Sequence, residues 1–280
     1  MLTTLSLALC LAGAPLSFEN GEFLGFTEDG NAVAWTSTVD NRAMEPPRRI
    51  TSATVRNLLQ ATEAVFELEV RPFGEVKATP TPGADVAKWE AWKKANPLVK
   101  PTAHAEVKTS LRVNGKDAAA WGGDGKAVKV EVATERLGVR HVAASQFASY
   151  RGKKLPRTSG ASFVDPTGRR VAFVLSSDAS GAEPASGELV IVEAGPTVEV
   201  FVAEGADLDA KLALVEQAGF AVTGSSRSKA TDTGLSVIGD AQTMPAAEAL
   251  AKQLGGKAVK GKVDRRLSDL QVTFEVRPVR

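Results

Sequence analysis

The sequence has very few of the residues that build metal sites, disulfide frameworks and thiol chemistry. Its 280 residues include one cysteine, Cys10, and two histidines, His104 and His141. A single cysteine cannot close a disulfide within the chain. A histidine metal site would need both histidines, and the His-Glu-x-x-His spacing that places two ligands on one helix is missing. We therefore expect no cofactor, no metal centre and no cysteine nucleophile.

Excess charge of one sign and long apolar runs are also missing. The formal net charge is +1, whereas domains that bind nucleic acids usually carry a basic footprint. After residue 17, no segment approaches the roughly 18 apolar residues of a transmembrane helix. The Gly-x-Ser-x-Gly and Gly-Lys-Ser/Thr loops of acyl transfer and nucleotide hydrolysis do not occur. These absences argue against a nucleic-acid partner, a transmembrane segment in the mature chain and both of these enzyme classes.

The N-terminal stretch, MLTTLSLALCLAGAPLS, is informative about location. About ten apolar residues followed by a small-x-small site are typical of a secretory signal peptide, although no Lys or Arg precedes them. We predict a signal peptide over residues 1–17, cleaved after Ala14 or Ser17, and hence a periplasmic or secreted protein. A buried N-terminal strand or helix is the alternative. Leu9, directly before Cys10, disfavours attachment of a lipid there.

Residues 18–194 have the pattern of a β-rich domain, because short strand-like segments alternate with Gly, Pro, Asp and Ser clusters. Two of these segments are similar hairpins, LGFTEDGNAVAWTSTVD at residues 24–40 and ASFVDPTGRRVAFVLSSD at residues 161–178. The hairpins align on Gly30 and Gly168, each at the fourth position of its turn, and the proline of the second fits a type I turn. We predict structural turns, with Val-Ala-Trp and Val-Ala-Phe in the core.

These hairpins resemble those of TolB-type propeller blades and of secreted bacterial β-proteins. The resemblance implies a sandwich or partial propeller-like sheets. Propeller blades repeat every 40 to 50 residues or so, whereas the two hairpins lie 138 residues apart (168 minus 30) with no further copy between them. A complete propeller is therefore not expected.

One helix interrupts the strands in the segment DVAKWEAWKKANPL, which stops at Asn96-Pro97. Trp89 and Trp92 are three residues apart and therefore lie near one face of this helix. Two interpretations follow. The tryptophans anchor the helix to a sheet, or they form an exposed pair that stacks on the sugars of a glycan. The exposure of the two rings distinguishes these interpretations.

The pattern changes in residues 195–280. ADLDAKLALVEQAGF predicts a helix capped by Asp207 and stopped by Gly219, and TMPAAEALAKQLGG predicts another with Pro245 in its first turn. Strand-like segments flank both helices. The predicted order is β-α-β-β-α-β, a split unit that forms one sheet with both helices on the same face.

This region resembles the small C-terminal domain of LytR/CpsA/Psr cell-envelope proteins. The similarity includes the opening strand, a turn at Gly205, the helix ending in QAGF and the later helix AAEALAKQLGG, and it covers less than a third of the chain. The family usually has Asn-Gly at the turn, whereas this chain has Glu204-Gly205. The resemblance implies an envelope-associated accessory domain, LytR C-terminal-like, without catalysis of its own.

A basic run, KAVKGKVDRR, precedes the final predicted strand. Its basic residues are Lys257, Lys260, Lys262, Arg265 and Arg266. Such residues can bind an anionic polymer or an acidic partner through charge-assisted hydrogen bonds. The alternative is a solvated loop, because an aspartate interrupts the run.

The sequence thus predicts an α+β protein: a signal peptide, a β-rich domain over residues 18–194 and a small α+β domain over residues 195–280. We expect a non-enzymatic, exported binding or scaffold protein of a bacterial cell envelope. Its partner would be the cell wall, an anionic envelope polymer or an envelope protein, and Trp89, Trp92 and the basic run are the candidate binding surfaces. The alternative is a hydrolase or transferase acting on envelope glycan, which a cleft with paired carboxyl groups would favour.

Overall fold

The computed structural model describes residues 16–74, 79–117, 120–123, 128–147, 155–177, 186–228, 234–265 and 267–274. Strand residues make up 53% and helix residues 15%, so the expectation of an α+β protein dominated by β-sheets is confirmed. Within these described ranges, no helix has the length and apolar character needed to cross a membrane. Residues 1–15 of the predicted signal peptide lie outside the described residues.

In chain order the strands are β1 (Leu16–Glu19), β2 (Phe23–Thr27), β3 (Ala32–Asn41), β4 (Arg48–Asn57), β5 (Glu63–Pro72), β6 (Thr81–Pro82), β7 (Leu98–Val99), β8 (Lys108–Val113), β9 (Lys116–Asp117), β10 (Ala120–Gly123), β11 (Val128–Arg136), β12 (Val139–Phe147), β13 (Leu155–Val164), β14 (Arg170–Ser177), β15 (Ser186–Glu193), β16 (Thr197–Ala203), β17 (Ala221–Ser228), β18 (Ser236–Gly239), β19 (Lys257–Lys260) and β20 (Leu270–Thr273). The helices are α1 (Val86–Ala95), α2 (Leu208–Gln217) and α3 (Met244–Leu254).

These strands form four sheets. The six-stranded sheet has the order β6-β5-β4-β3-β2-β7, the central sheet β1-β15-β14-β13-β10, and the four-stranded sheet β12-β11-β8-β9. The C-terminal sheet has the order β17-β16-β20-β18-β19. The two similar hairpins are β2–β3 and β13–β14, and they belong to different sheets.

The central sheet is buried on both faces. In β14, Val171, Phe173 and Leu175 pack with the four-stranded sheet, whereas Ala172 and Val174 pack with the six-stranded sheet. Side chains of a strand alternate between its two faces. A strand covered on both sides therefore has a continuous apolar sequence, which explains the run VAFVL.

The C-terminal sheet has its own core. Val198, Val200 and Val202 of β16 point to the same face and are fully buried against Val215 of α2 and Leu250 of α3. Because both helices contribute to this single cluster, they cover the same face of the sheet. Leu137, from the turn between β11 and β12 of the four-stranded sheet, also packs against this cluster.

The strand order of this region differs from the predicted β-α-β-β-α-β order in one respect. Lys257–Lys260, predicted as part of a run before the last strand, form β19, which pairs in parallel with β18. Gly255 has φ of 73° after the end of α3 and reverses the chain there. Ala258 then packs against the helical core. A strand of four residues with one inward apolar side chain was too short for sequence analysis to detect.

Candidate functional site

The turn between β2 and β3 is held by an aspartate and a glycine. The backbone N–H of Gly30 donates to the carbonyl of Thr27 at 2.8 Å, and Gly30 has φ of 68°. The carboxylate of Asp29 accepts hydrogen bonds from the Thr27 hydroxyl at 2.6 Å and from the Asn31 N–H at 3.0 Å. This left-handed conformation favours glycine. The turn therefore presents Asp29 and Asn31 at its tip.

The turn between β13 and β14 has a similar design with a buried carboxylate. Asp165 is fully buried and accepts hydrogen bonds from the backbone N–H groups of Thr167 at 2.7 Å and Arg170 at 2.6 Å. Gly168 has φ of 70°, and a Cβ at that position would lie 2.9 Å from the ring of His104. Both the backbone conformation and the close ring exclude larger residues. The aspartate thus fixes the point at which two successive arginines leave the turn.

Arg169 joins the two turns to each other. Its guanidinium donates to the backbone carbonyl of Asp29, to the side-chain oxygen of Asn31 at 2.9 Å and to the hydroxyl of Thr167 at 2.7 Å. A Cβ on Gly30 would come within 3.1 Å of the same guanidinium. Two hairpins that belong to different sheets therefore meet at their tips.

Glu216, in the last turn of α2, brings the C-terminal region to this junction. Its carboxylate pairs with Arg169 at 2.7 Å and lies 3.7 Å from a terminal nitrogen of Arg170. The second distance exceeds a hydrogen bond. Oε1 of Glu216 and Nε of Arg170 have no hydrogen-bond partner among the described residues. We call Arg169, Arg170 and Glu216 the ion cluster.

The ion cluster is almost completely excluded from solvent. The side chains of both arginines are 2% exposed and that of Glu216 is 8% exposed. Burial, followed by the charge of Arg169, lowers the pKa of Arg170, while the neighbouring carboxylates oppose this shift. Arginine nevertheless stays protonated in proteins. Glu216, Asp165 and Glu193 together compensate the buried positive charges, and among these carboxylates Glu216 alone supplies this compensation from the C-terminal region.

Arg136, at the end of β11, makes a second bridge to the C-terminal region. Its guanidinium donates to the carbonyl of Gly219 directly after α2, to the carbonyl of Gly168 at 3.3 Å, and to the carboxylate of Glu106 at 2.9 Å. Its side chain is 8% exposed. One arginine thus connects the four-stranded sheet, the β13–β14 turn and the end of α2.

His141 of β12 makes a third bridge. Its Nε2 lies 2.7 Å from the carbonyl of Gly195 and 3.5 Å from the carboxylate of Asp269. Asp269 in turn accepts hydrogen bonds from the N–H and the hydroxyl of Thr197 at 3.0 and 2.9 Å. The ring is therefore engaged in a structural contact at the start of the C-terminal sheet. Across the described ranges, no group of three or more His, Cys, Asp or Glu side chains is arranged to hold a metal ion.

A cleft of about 850 Å³ opens beside the ion cluster. One wall is formed by the tips of the two hairpins and by Leu59 and Gln60 between β4 and β5, and the other by α2 and β17. Among the described residues, the lining contains three carboxylates, those of Asp29, Asp209 and Glu216, and a single cation, Arg169. Apolar side chains, including Leu212 and Val222, cover part of the surface. A concave site with apolar area and a few fixed polar groups is what ligand sites generally require.

The carboxylate of Asp29 is held in its charged form. Partial burial raises the pKa of Asp29, but hydrogen bonds from Thr27 and Asn31 and the charge of Arg169 outweigh it, so the pKa lies below its ordinary value. Glu216 is bound by Arg169. Asp29 is therefore suited to attract a cation rather than to donate a proton.

No family model, curated protein or solved structure matches this chain. The resemblances of the hairpins to TolB-type blades and of the C-terminal region to the LytR C-terminal domain therefore stay predictions. The functional assignment depends on the geometry and charge of the cleft itself.

The two tryptophans of α1 pack on the six-stranded sheet. Trp89 is 5% exposed, stacks on Trp92 with ring centroids 5.4 Å apart, and lies 5.5 Å from the ring of Phe66. Trp92 is half-buried beside the same phenylalanine, at 6.4 Å. This packing favours the interpretation that the pair anchors the helix. The rings lie outside the lining of the cleft.

The basic run does not form one continuous patch. Lys257 and Lys260 are exposed. They are the first and fourth residues of β19, so they point to opposite faces of the strand. Arg265 is bound in a bidentate pair to Asp240, with both N–O distances 2.8 Å. Lys262 follows the strand and is exposed, and Arg266 lies outside the described residues. None of the described members of the run lines the cleft.

Sequence analysis identified the two turns but missed the cleft. The signal was present in Gly168-Arg169-Arg170, two adjacent arginines at the start of a strand that is otherwise apolar. Charged residues at the start of a buried strand need partners. Their partner, Glu216, lies 47 residues beyond Arg169 (216 minus 169), and no local pattern reveals such a pairing.

Proposed function

We propose that this protein is a non-enzymatic binding or scaffold protein of a bacterial cell envelope, and that the cleft is its ligand site. The observation that carries the proposal is the junction itself. Two hairpin tips and one helix, brought together from distant parts of the chain, are fixed by the buried ion cluster beside an open cleft of about 850 Å³. A site that is already rigid binds a ligand without the entropic cost of ordering its walls.

The proposed organisation comprises a signal peptide, a β-rich domain over residues 18–194 and a LytR C-terminal-like domain over residues 195–280, in an exported, periplasmic or secreted protein. The separate core of the C-terminal sheet supports the second boundary. Strand β1 begins at Leu16 and pairs with β15. Cleavage after Ala14 would leave β1 whole, whereas cleavage after Ser17 would remove half of it. We therefore favour cleavage after Ala14.

The alternative is a hydrolase or transferase acting on envelope glycan, and the three carboxylates of the cleft are the observation that favours it. Such enzymes need a general acid whose pKa is raised. In this cleft the pKa of Asp29 is lowered, and Glu216 is bound to Arg169. The charge distribution therefore supports binding over hydrolysis.

Filling the cleft tests the proposed function. Ala213 of α2 is exposed and lines the cleft, so Ala213→Trp inserts a large ring without disturbing the core. We expect the mature wild-type protein to be retained by purified cell-wall and envelope fractions, and Ala213→Trp to reduce retention about tenfold or more because it occupies the ligand volume.

The matched control is Leu214→Trp, the next residue of the same helix, which is 42% exposed and lies outside the lining of the cleft. It should be retained like the wild type. Retention of Ala213→Trp at the wild-type level would show that the cleft is not the binding site. Failure of every fraction to retain the wild type, or release of sugar fragments by it, would overturn the proposal of a non-enzymatic envelope-binding protein.

A further inference from the structure

One wall of the cleft is an open strand edge. β17 is the first strand of the C-terminal sheet, and among the described residues its only strand partner is β16. Residues 222–225 of β17 line the cleft. An edge strand presents backbone N–H and C=O groups that can pair with another extended chain. This edge is therefore equipped to accept a further strand.

Strand β17 contains a bulge where it lines the cleft. Val198 pairs with Val222 and Glu199 pairs with Gly224, so Thr223 is an extra residue that forms a bulge. The Thr223 hydroxyl donates to the carbonyl of Leu267 at 3.0 Å. A bulge bends its strand and redirects the following residues. The bend of β17 is thus fixed by its contacts with the rest of the C-terminal region. These contacts hold the strand whether or not a further strand pairs with its free edge.

Helix α2 lies beside this edge and completes a groove. Leu212, Ala213 and Gln217 of the helix line the same cleft as β17, and Leu59 faces them from the turn between β4 and β5. Extended peptides commonly bind by adding a strand to an exposed edge, with alternate side chains entering flanking pockets. The apolar residues of this groove can contact one side chain of a bound peptide, and its polar residues can contact the next side chain.

The charge of the groove selects the kind of peptide. The charges of Glu216 and Arg169 compensate each other at 2.7 Å. Asp29 and Asp209 remain, both exposed, one on each wall of the cleft. In addition, Oε1 of the buried Glu216 has no hydrogen-bond donor within the described part of the chain. The remaining charge of the described lining is therefore about −2, which attracts basic side chains and repels acidic ones.

We propose that the cleft binds an extended peptide segment carrying basic side chains, which adds to β17 as a further strand of the C-terminal sheet. This proposal rests on the proposed function, because it names the class of ligand that the same cleft binds. The partner is an envelope protein or its tail with alternating basic and apolar residues. An anionic polymer does not fit this cleft.

Fluorescence anisotropy with a labelled hexapeptide of alternating lysine and valine tests the proposal. The full-length mature protein should bind it at least about tenfold more tightly than the hexapeptide of alternating glutamate and valine, and added salt should weaken binding. The double variant Asp29→Asn, Asp209→Asn should weaken binding about fivefold, because each exposed pair contributes modestly. Leu214→Trp should bind like the wild type. Equal affinity for the two hexapeptides would overturn the charge argument.

Backbone methylation of the peptide separates strand addition from attraction of charge alone. Two versions of the lysine–valine hexapeptide are needed, one methylated on the odd and one on the even backbone nitrogens. In a strand, alternate N–H groups point to the same neighbour. One version should therefore lose binding about tenfold or more, and the other should keep it. Unchanged affinity of both versions would overturn strand addition.

The two proposals can fail separately. If no lysine–valine hexapeptide binds but Ala213→Trp still abolishes retention by envelope fractions, the cleft is the ligand site and the ligand is not a basic peptide. If the hexapeptide binds in the cleft but envelope fractions do not retain the protein, the peptide groove stands and the envelope role is wrong.

Discussion

At the residue scale, one acidic side chain links the C-terminal region to the buried arginines of the junction. Glu216 is the group on the C-terminal side that compensates Arg169 and Arg170, both nearly inaccessible to solvent. A buried ion pair gains little over apolar packing of the same volume, but removal of one partner leaves an uncompensated buried charge. The cluster therefore acts mainly as a device that fixes how α2 meets the two turns.

Replacing Glu216 by glutamine keeps its shape and removes its charge. We expect Glu216→Gln to lower the free energy of unfolding by about 3–5 kcal/mol, because the buried cluster loses the carboxylate that is paired with Arg169 at 2.7 Å. Asp165 and Glu193 still act on Arg170. Urea unfolding followed by tryptophan fluorescence measures the change. Glu248→Gln, at an exposed position of α3, is the control and should alter stability by less than about 0.5 kcal/mol. A loss below about 1 kcal/mol for Glu216→Gln would contradict this account of the ion cluster.

At the scale of single elements, α3 illustrates how a short loop holds a helix in place. The carboxylate of Asp240 accepts hydrogen bonds from the backbone N–H groups of Gln242 and Thr243, at 2.8 and 3.1 Å, and pairs with Arg265. The hydrogen bond from Arg265 lowers the pKa of Asp240 well below its ordinary value, and the two backbone N–H groups add to this effect. The arginine of the basic run that sequence analysis assigned to a binding surface therefore stabilises the start of a helix.

The depressed pKa of Asp240 sets the direction of a pH effect. Because the pKa is lower in the folded protein than in the unfolded chain, the carboxylate contributes stability above about pH 4, which is lost as the pH falls. We expect Asp240→Asn to lower the free energy of unfolding by about 1 kcal/mol at pH 7, a small value because the pair is partly solvent-exposed. The difference from the wild type should shrink at pH 3. A constant difference at both pH values would contradict the charge-based account.

Elements with strong local signals could be predicted, and the packing between them could not. The caps of α2 were predictable because Asp207 accepts the N–H of Ala210 at 3.1 Å and Gly219 adopts φ of 80°, both consequences of nearest neighbours. The continuous run VAFVL could have indicated a strand buried on both faces. In contrast, the meeting of the two hairpin tips depends on Arg169 and its distant partners. The sequence therefore showed the parts of the cleft without showing that they enclose one.

At the scale of the whole molecule, the C-terminal sheet has its own core and is joined to the β-rich region by polar bridges and by Leu137, which packs against that core. The ion cluster, Arg136 and His141 make these bridges, and the cleft lies along one side of them. If these bridges make the two regions unfold together, removing one of them should cause the two regions to unfold in separate transitions. The position of the tryptophans makes this testable, since all four precede residue 197 and two of the three described helices follow it.

Removing Arg136 should uncouple the two regions. In the wild type, thermal unfolding followed by tryptophan fluorescence and by helical circular dichroism should give coincident transitions. In Arg136→Ala, the carbonyl of Gly219 loses a buried donor, so the circular dichroism transition should fall about 5 °C or more below the fluorescence transition. Arg112→Ala removes an exposed pair from the same four-stranded sheet and should leave the transitions coincident. If both transitions of Arg136→Ala shift together, the two regions are coupled through contacts other than this arginine. The two walls of the cleft would then not move independently of each other.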